Sequence, residues 1–526
     1  MSSSETIPEL IKGANLPHII PQPQKIKWGD DYVRLDGFEF EFENVPEHIR
    51  LLYRNAFTLN GQTGKLFKLT STSSVKPEGY RLKAAENEIL VSAADERGFF
   101  YALQTLKQLK LGNLLVSAEI EDFPCLGLRG FHMSLTTAQM FGFEDIKRII
   151  SMLGKFKINT LVLEYNDKFP FVKHPLISSV AAFSQEEVRE FERLAKDNYL
   201  DIIPVVQSLG HVRYMLRYPQ YRHLLEMKIE PKKNEQFCPL KEGSFELFKE
   251  LASEIMDAHP RGRYFHIGGD ETSSLGKCPE CAIIAAKHGK SKLYADYMNK
   301  VCAWVKSQGR IPVLWDDIIS NLQYVEIADM LDKDAIIMYW DYWTSSAQVP
   351  ILVARGTGYG IVHDKRWDGE WKRELQEPEK TVVEKFSKGI DLEKELSNKN
   401  YLQVFRKYLG DNFPKYINAF PYVEFYRDKG FKVIAAPTTL GNRIDDTFGL
   451  PNYTRFLGNI RAFADKSIEN NMLGLATLAW YNFPPEILHL GIMATGQNCW
   501  RGIPDQSYFH VFPAREKTGL QTVQNN

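Results

Sequence analysis

Apolar residues in the first part of the chain, up to about Asp122, follow both strand and helix periods. Residues 38–42 (FEFEF) alternate strictly between apolar and acidic side chains, which is typical of a half-buried strand. Residues 89–91 and 114–120 are further short apolar runs, whereas residues 98–109 carry apolar side chains at helical spacing. Strands around one helix predict a small α+β sheet with a helix on one face.

After Pro124, short β-rich runs alternate with longer helical patterns. The candidate strands are residues 128–131, 160–163, 202–206, 264–267, 311–314, 336–339, 433–435 and 475–478. Strand and helix in strict alternation predict an α/β fold of the (β/α)8 TIM barrel type, preceded by the α+β accessory domain. An open doubly wound sheet is the alternative. The number of strands, and the polar or aromatic residues at nearly every strand's carboxyl end, favour the barrel.

These patterns also predict where the domains begin and end. The expected organisation is an N-terminal tail over 1–15, an accessory domain over 16–122, a barrel over 123–514 with a long insertion at about 353–428, and a polar tail over 515–526. The charged stretch 380–399 in the insertion is expected to be helical and solvent-exposed.

Composition excludes several classes of protein. Among 526 residues, 65 Lys and Arg balance 66 Asp and Glu, so net charge gives no argument for nucleic acid or for an anionic membrane surface. An aromatic content of 12% argues against a disordered chain. No apolar run approaches the roughly 18 residues that a membrane-spanning helix needs, and no basic segment followed by an apolar core opens the chain. We therefore expect a cytoplasmic protein without membrane or nucleic-acid partners, and its oligomeric state is open.

Carboxylates and tryptophans recur where the predicted strands end. The strand ends carry Arg129 and His132, Glu164 to Asp167, Gln207 to His211, Gly268 to Glu271, Trp315 to Asp317, Tyr339 to Trp343, and Trp480 to Asn482. In such barrels the active site lies at the carboxyl ends of the strands. Indole rings stack on the apolar faces of sugars, and charged groups bind sugar hydroxyls. The pattern predicts a sugar pocket, and paired carboxylates are what glycosidic cleavage requires.

The run Gly268–Gly269–Asp270–Glu271 is the sharpest of these motifs. Two glycines permit an unusual turn and leave room beside the backbone. Because neighbouring residues of a strand face opposite ways, both acids reach one pocket only if the strand ends there. Two close carboxylates would also move each other's pKa values apart, which favours one protonated acid beside one ionised carboxylate.

The motif HIGGDE at 266–271 resembles the signature of glycoside hydrolase family 20, the β-N-acetylhexosaminidases. The opening IPQPQ at 20–24 and the helical pattern at 98–109 are similar to that family's accessory domain, and DFP at 122–124 followed by Arg129 resembles its barrel entry. The segment LEYNDKFP at 163–170, with Gln207 and His211, is most similar to the hexosaminidase D-like branch.

The resemblance implies a substrate-assisted mechanism, in which the sugar's 2-acetamido oxygen attacks the anomeric carbon and forms an oxazolinium-like intermediate. It makes Glu271 the general acid and then the base for water, and Asp270 the residue that holds the acetamido N–H. Arg129 resembles the arginine that binds the outer hydroxyls, which implies exo action. A pair supporting the carboxylates and three aromatic walls are the remaining implied positions: Asp167, His211, Trp315, Trp340 and Trp480. The mechanism needs no cofactor and no metal.

Three positions depart from the family's pattern. Ser134 stands where the family commonly has an Asp, and Asn482 replaces an acidic residue that grips sugar hydroxyls. The tyrosine that binds the acetamido oxygen has no match in residues 436–440. The preference between N-acetylglucosamine and N-acetylgalactosamine is therefore open.

Two rival functions follow from the same residues. In a retaining glycosidase of another type, Glu271 is the acid, and a carboxylate on a different strand, such as Asp316 or Asp341, is the nucleophile. In a catalytically inactive sugar-binding protein, the departures at Ser134 and Asn482 would have removed the activity while the fold and the sugar pocket remain.

Cys278 and Cys281 form a C-x-x-C motif shortly after the catalytic strand. Such a motif is half of a zinc site, and Cys238 or a nearby histidine would have to complete it. A bound zinc, a disulfide and free or structural thiols are the three interpretations, and the sequence leaves them open.

Overall fold

The computed structural model describes residues 18–59, 64–135, 141–227, 235–356, 358, 360–397, 401–440, 452–480 and 485–502. The predicted tails 1–15 and 515–526 lie outside these ranges. No helix within them is long and apolar enough to cross a membrane. The chain divides into two compact units, one around the first sheet and one around the barrel.

The first unit comprises the described residues up to Cys125 together with 155–157 and 496–502. Its sheet is formed by seven strands, Lys25–Arg34, Phe38–Glu43, Lys65–Ser71, Tyr80–Ala85, Glu88–Ala93, Lys110–Leu111 and Leu114–Asp122. Two helices, Glu47–Ala56 and Glu96–Leu109, accompany it. The second begins at Asp95, whose side chain accepts a hydrogen bond from the Gly98 amide. The predicted α+β arrangement is confirmed.

A fully buried ion pair lies inside this unit. The Nζ of Lys157 is 2.8 Å from Oδ2 of Asp122, and neither side chain is exposed. The Asp122 carboxylate also accepts hydrogen bonds from the Tyr80 hydroxyl at 2.6 Å and from the Trp500 indole N–H at 2.7 Å. A buried ion pair is stable only where its charged groups also make hydrogen bonds of this kind.

The second unit is a closed parallel barrel, as the alternation predicted. Its eight strands are Leu128–Ser134, Thr160–Glu164, Asp201–Val205, Tyr264–His266, Ile311–Trp315, Ile336–Trp340, Lys432–Ala436 and Gly474–Ala479. Pairing of the last strand with both the seventh and the first closes the ring. The short strand Thr438–Leu440 adds to the eighth.

Helices follow the barrel strands and cover their outer side. They are Phe143–Lys155, Gln185–Asp197, Glu242–Ala258, Pro279–His288, Lys290–Ser307, Ile327–Met330, Tyr422–Asp428, Tyr453–Glu469 and Pro485–Arg501. A capping box of Ser184 and Glu187 begins the helix Gln185–Asp197. The inward side chains of the strands form the barrel core, which includes Val162, Val205, Val313 and Met338.

The long connection between the sixth and seventh strands holds additional structure of its own. Its strands are Gln348–Val349, Ile351–Ala354, Gly360–Asp364, Lys388–Ile390 and Ile417–Asn418, and its short helices include Asp368–Glu374, Glu379–Thr381, Leu392–Ser397 and Tyr401–Phe405. Of the expectation that the stretch 380–399 is helical and exposed, the described residues confirm only part. Helical segments are present, but the strand Lys388–Ile390 interrupts them, and Val382 and Leu396 are buried.

Candidate active site

The fourth barrel strand ends just before its two carboxylates. The strand stops at His266, and Gly268 and Gly269 then adopt φ values of 68° and 97°, a region that favours glycine. A Cβ on Gly268 would lie 1.9 Å from Oε1 of Gln207, and one on Gly269 would lie 2.8 Å from the side chain of Met298. Because the strand has ended, Asp270 and Glu271 are released from strand alternation and can face the same side.

A single imidazole joins the two carboxylates. The Nε2 of His211 is 3.1 Å from Oδ2 of Asp270 and 3.4 Å from Oε2 of Glu271. The Asp270 side chain is 12% exposed, whereas that of Glu271 is 52% exposed. His211 and Glu271 have φ values of 54° and 47°, and such strain is typical of functional sites. The predicted convergence of the two acids is therefore present, with one acid enclosed and the other open to solvent.

Charges at this site constrain each other. Burial opposes protonation of His211, but the carboxylates of Asp270 and Glu271 outweigh it and raise the pKa of His211 well above its ordinary value. Burial, and then the charge of Asp270, raise the pKa of Asp317 well above its ordinary value. The Asp317 carboxylate accepts a hydrogen bond from the Glu271 amide at 2.9 Å. The arrangement is thus a triad of two acids joined by one imidazole, and Asp317 holds the backbone of Glu271.

The three predicted tryptophans line the inside of the barrel. Trp315 and Trp480 have ring centroids 5.7 Å apart, and Trp480 donates its indole N–H to the Tyr342 hydroxyl at 2.9 Å. Tyr342 in turn stacks on Trp340, with centroids 4.9 Å apart. The guanidinium of Arg355 lies 3.9 Å from the centre of the Trp340 ring, on which it stacks. These rings form an aromatic wall around the barrel mouth.

Polar groups form the floor beneath these rings. Strand alternation turns His132, Glu164, Gln207 and His266 toward the barrel axis, since His132 and His266 contact Trp315 at centroid distances of 6.0 and 4.5 Å. Gln207 donates to Glu164 at 2.9 Å. Burial lowers the pKa of His132 to about 4 and that of His266 well below its ordinary value, so both imidazoles are neutral.

The aromatic wall, this floor, Ser134 and Asp270 together form the cup. Several polar atoms of the cup are buried without a hydrogen-bond partner within the described part of the chain. They include both ring nitrogens of His132, Nε2 of His266, Oε1 of Gln207, Oδ1 of Asp270, Nε1 of Trp315 and Oγ of Ser134. Buried polar groups are normally satisfied, so a cluster of unsatisfied ones at a barrel mouth indicates a polar ligand. At the level of sequence, His132, Glu164 and Gln207 are strand-end residues without an assigned role in the site, although strand alternation marks them as inward.

The rival nucleophiles are occupied elsewhere. Asp316 is buried and its Oδ2 is 2.6 Å from Nη1 of Arg355, while its Oδ1 accepts from the Trp340 amide. Asp341 accepts two backbone N–H groups and the Thr344 hydroxyl, which fixes the turn after the sixth strand. Neither carboxylate is left to attack a sugar, which disfavours a glycosidase with an enzyme nucleophile on these strands.

Arg129 is not where the sequence analysis expected it. It is the second residue of the strand Leu128–Ser134, and its Nη1 donates to the carbonyls of Leu126 at 2.9 Å and Gly127 at 3.3 Å. Since Leu128 faces the barrel interior, Arg129 faces the other way and lies at the amino-terminal end of the strand. These two contacts do not place it at the strand's carboxyl end, so binding of the outer hydroxyls by Arg129 stays a prediction.

Of the two residues expected to support the carboxylates, His211 contacts both acids, whereas Asp167 pairs with Arg217. Asp167 is fully buried in the turn Asn166–Lys168, and its Oδ2 is 3.1 Å from Nη2 of Arg217. Across the described ranges, no hydrogen bond or ion pair connects Asp167 with His211, and, of the two, His211 alone contacts Asp270 and Glu271. The position of Asn482 lies outside the described residues.

A second cavity adjoins the exposed acid. Its volume is about 460 Å³, and Thr272, Leu275, Asn321 and Tyr324 line it together with Glu271.

Comparison with known proteins agrees with this geometry. The family models for the glycosyl hydrolase family 20 catalytic domain and for domain 2 of the same family match residues 128–365 and 16–123. Hexosaminidase D of Bos taurus is 28% identical over 203 residues, which cover 38% of this chain and 58% of the relative. A beta-hexosaminidase of Porphyromonas gingivalis is 25% identical over 368 residues, covering 60% of this chain and 47% of the relative. The chain thus spans about half the length of these curated relatives.

Solved structures share the fold. A beta-N-acetylhexosaminidase from Bacteroides fragilis superimposes with a TM-score of 0.64 at 18% identity, covering 94% of this chain and 93% of that one. A beta-N-acetylhexosaminidase from Streptomyces coelicolor gives a TM-score of 0.64 at 16% identity, covering 97% and 98%. With the accessory sheet, the barrel and the paired acids after two glycines all present, the chain belongs to glycosyl hydrolase family 20.

Proposed function

We propose that this protein is an exo-acting, retaining β-N-acetylhexosaminidase, which hydrolyses terminal non-reducing N-acetylglucosamine or N-acetylgalactosamine from oligosaccharides by substrate-assisted catalysis. The observation that carries the proposal is the contact of Asp270 and Glu271 with one imidazole, at 3.1 and 3.4 Å, beside the aromatic cup. The names of the curated relatives, hexosaminidase D and beta-hexosaminidase, support the same substrate class.

The two acids take different parts of the reaction. The acetamido oxygen of the substrate attacks the anomeric carbon as the bond to the leaving oxygen breaks, and Glu271 gives that oxygen its proton. The enclosed Asp270 accepts the acetamido N–H at its unpartnered Oδ1 and stabilises the charge that develops on the ring. Glu271 then takes a proton from water, which attacks the anomeric carbon, reopens the oxazolinium ring and restores the β-configuration.

Tyr342 supplies the donor that the seventh strand lacks. Its hydroxyl accepts the Trp480 indole N–H at 2.9 Å, so its own proton remains for a ligand acceptor. Its ring packs against the inward-facing residues of the barrel. We assign it the acetamido oxygen, which it would hold in place for attack.

We assign the binding of the sugar's outer hydroxyls, the role expected of Arg129, to the floor of the cup. Glu164, Gln207 and the neutral imidazole of His132 offer both acceptors and donors at the closed inner end of the pocket. Groups of this kind bind the outer hydroxyls of a terminal sugar, and a closed end favours exo action. The cavity beside Glu271 receives the leaving group.

The proposal is tested by comparing chromogenic N-acetylglucosaminide, N-acetylgalactosaminide and unacetylated glucosaminide substrates. We expect turnover of at least one N-acetylated substrate, negligible turnover of the unacetylated control, and tight competitive inhibition by a thiazoline analogue of the cyclised intermediate. Equal turnover without the acetamido group would favour an enzyme nucleophile. Sugar binding without turnover of any substrate would favour the inactive sugar-binding protein.

Variants separate the two roles. Glu271→Gln should lose most activity toward poor leaving groups and retain more toward good ones, because poor leaving groups depend most on the proton. Asp270→Asn should lower kcat far more than it raises KM, because its interaction strengthens in the transition state. Unchanged activity of Glu271→Gln, or a pure rise in KM for Asp270→Asn, would contradict these roles.

A further inference from the structure

Three thiols and one carboxylate lie close together outside the proposed active site. This cysteine cluster consists of Glu226, Cys238, Cys278 and Cys281, whose ligand atoms all lie within 4.8 Å of one another. All but the half-buried Cys278 are buried. The residues come from three separate segments of the chain, so the fold, rather than sequence proximity alone, brings them together.

The spacing of the sulfur atoms matches a tetrahedral metal site. The Sγ of Cys238 is 3.7 Å from Sγ of Cys278 and 3.5 Å from Sγ of Cys281. Two sulfurs at about 2.3 Å from a tetrahedral zinc are about 3.8 Å apart. A disulfide needs about 2.05 Å, and three thiols cannot all be paired with one another. The distances therefore favour a shared ion over a disulfide.

The carboxylate is an independent observation that points to a cation. Glu226 is 2% exposed, and its Oε1 accepts hydrogen bonds from the amides of Lys277 and Cys278 at 2.8 and 3.1 Å. Its other oxygen, Oε2, is buried and has no hydrogen-bond partner in the described ranges. The backbone amides thus orient the carboxylate through Oε1, and Oε2 remains available for a ligand. Metal-binding carboxylates are typically oriented by hydrogen bonds of this kind.

The local backbone also favours a negatively charged sulfur at Cys278. Cys278 precedes the helix Pro279–His288, and its Sγ accepts a hydrogen bond from the Cys281 amide at 3.3 Å. The amino-terminal end of a helix favours negative charge, which a thiolate ligand carries.

We propose that Cys238, Cys278, Cys281 and Glu226 bind one structural zinc ion. Sulfur-rich tetrahedral donor sets select zinc, and four protein ligands leave no open position for catalysis. The site is separate from the proposed reaction, so it stands or falls independently of that function.

The zinc site would hold the segments that carry His211 and Glu271. The chain next to Cys238 bonds to the segment around His211, since Phe237 donates to Leu209 and Val212 donates to Glu235. On the other side, the Ser274 amide donates to Gln236 at 3.0 Å, and Cys278 follows Glu271 by only seven residues. Loss of the ion should therefore loosen the triad as well as the fold.

The test is the metal content of the full chain, purified from zinc-supplemented cells and washed with a chelator. Elemental mass spectrometry should find about one zinc per chain, and a mercurial reagent should release it. The double variant Cys278→Ser/Cys281→Ser should hold less than about a tenth of that and melt at a lower Tm. The control Cys125→Ser removes an exposed thiol outside the cluster and should keep the full content.

Measurements on the wild-type chain keep the proposal falsifiable even if the double variant fails to fold. Replacement by Co²⁺ should give the strong visible absorption of a tetrahedral thiolate site. A wild-type chain without bound metal whose six cysteines all react as free thiols after denaturation would overturn the proposal. A Cys238 disulfide found by mass spectrometry, or iron in place of zinc, would overturn it too.

Discussion

Replacement of Tyr342 by phenylalanine removes one hydroxyl from the cup and keeps the ring that stacks on Trp340 at 4.9 Å. If this hydroxyl holds the acetamido oxygen as it attacks, its loss acts on the transition state. Removal of a single preorganised donor of this kind costs about 100- to 1,000-fold in kcat, or about 2.7–4 kcal/mol. A donor that only binds the ground state contributes about 0.5–1.5 kcal/mol, which would appear mainly in KM.

The assay is the steady-state hydrolysis of a chromogenic N-acetylhexosaminide by wild type and Tyr342→Phe, together with the affinity of the thiazoline analogue. We expect kcat to fall with little change in KM, and the inhibitor to weaken in parallel with kcat/KM. Tyr408→Phe is the matched control, since that hydroxyl bonds to Asp428 in the insertion. A Tyr342→Phe enzyme with normal kcat, or one with a raised KM alone, would refute this role.

Three further results are expected. Asp122→Ala leaves the buried Lys157 without its 2.8 Å counter-charge, so denaturant unfolding should show a loss of about 3–5 kcal/mol. Arg129→Ala should lower the free energy of unfolding and leave KM unchanged, whereas a large rise in KM would restore the sugar-binding role. The raised pKa of His211 contributes stability that is complete below about pH 6.5 and is lost as pH rises through the folded-state pKa, so His211→Phe should flatten the alkaline decline in Tm.

The sequence predicted the barrel because each strand is short, apolar and followed by a helix, and that alternation has few structural solutions. It also predicted the Asp270–Glu271 pair and the three tryptophans, since residues at strand ends converge whatever the loops do. It placed Arg129 at a strand end, whereas the first strand extends to Ser134 and leaves Arg129 near its start. The position within a strand and the side it faces depend on strand bounds, which are the least certain part of a sequence pattern.

Other site residues depended on contacts that span distant parts of the chain. The importance of Tyr342 follows from its bond to Trp480, which lies 138 residues further along the chain. The partner of Asp167 is Arg217, and no local pattern indicates that pairing. Likewise, Glu226 has no motif of its own, and only the fold shows that it completes the cysteine cluster.

In the proposed reaction, the imidazole of His211, shared between two acids, would set the charge balance of the pocket. If His211 is positively charged and Glu271 carries the proton that it donates, these two groups and the Asp270 carboxylate sum to zero before the bond breaks. When Glu271 gives up that proton, the sum would become minus one as the sugar becomes a cation. The countercharge would therefore arise together with the charge that it neutralises, without an ion entering from solvent.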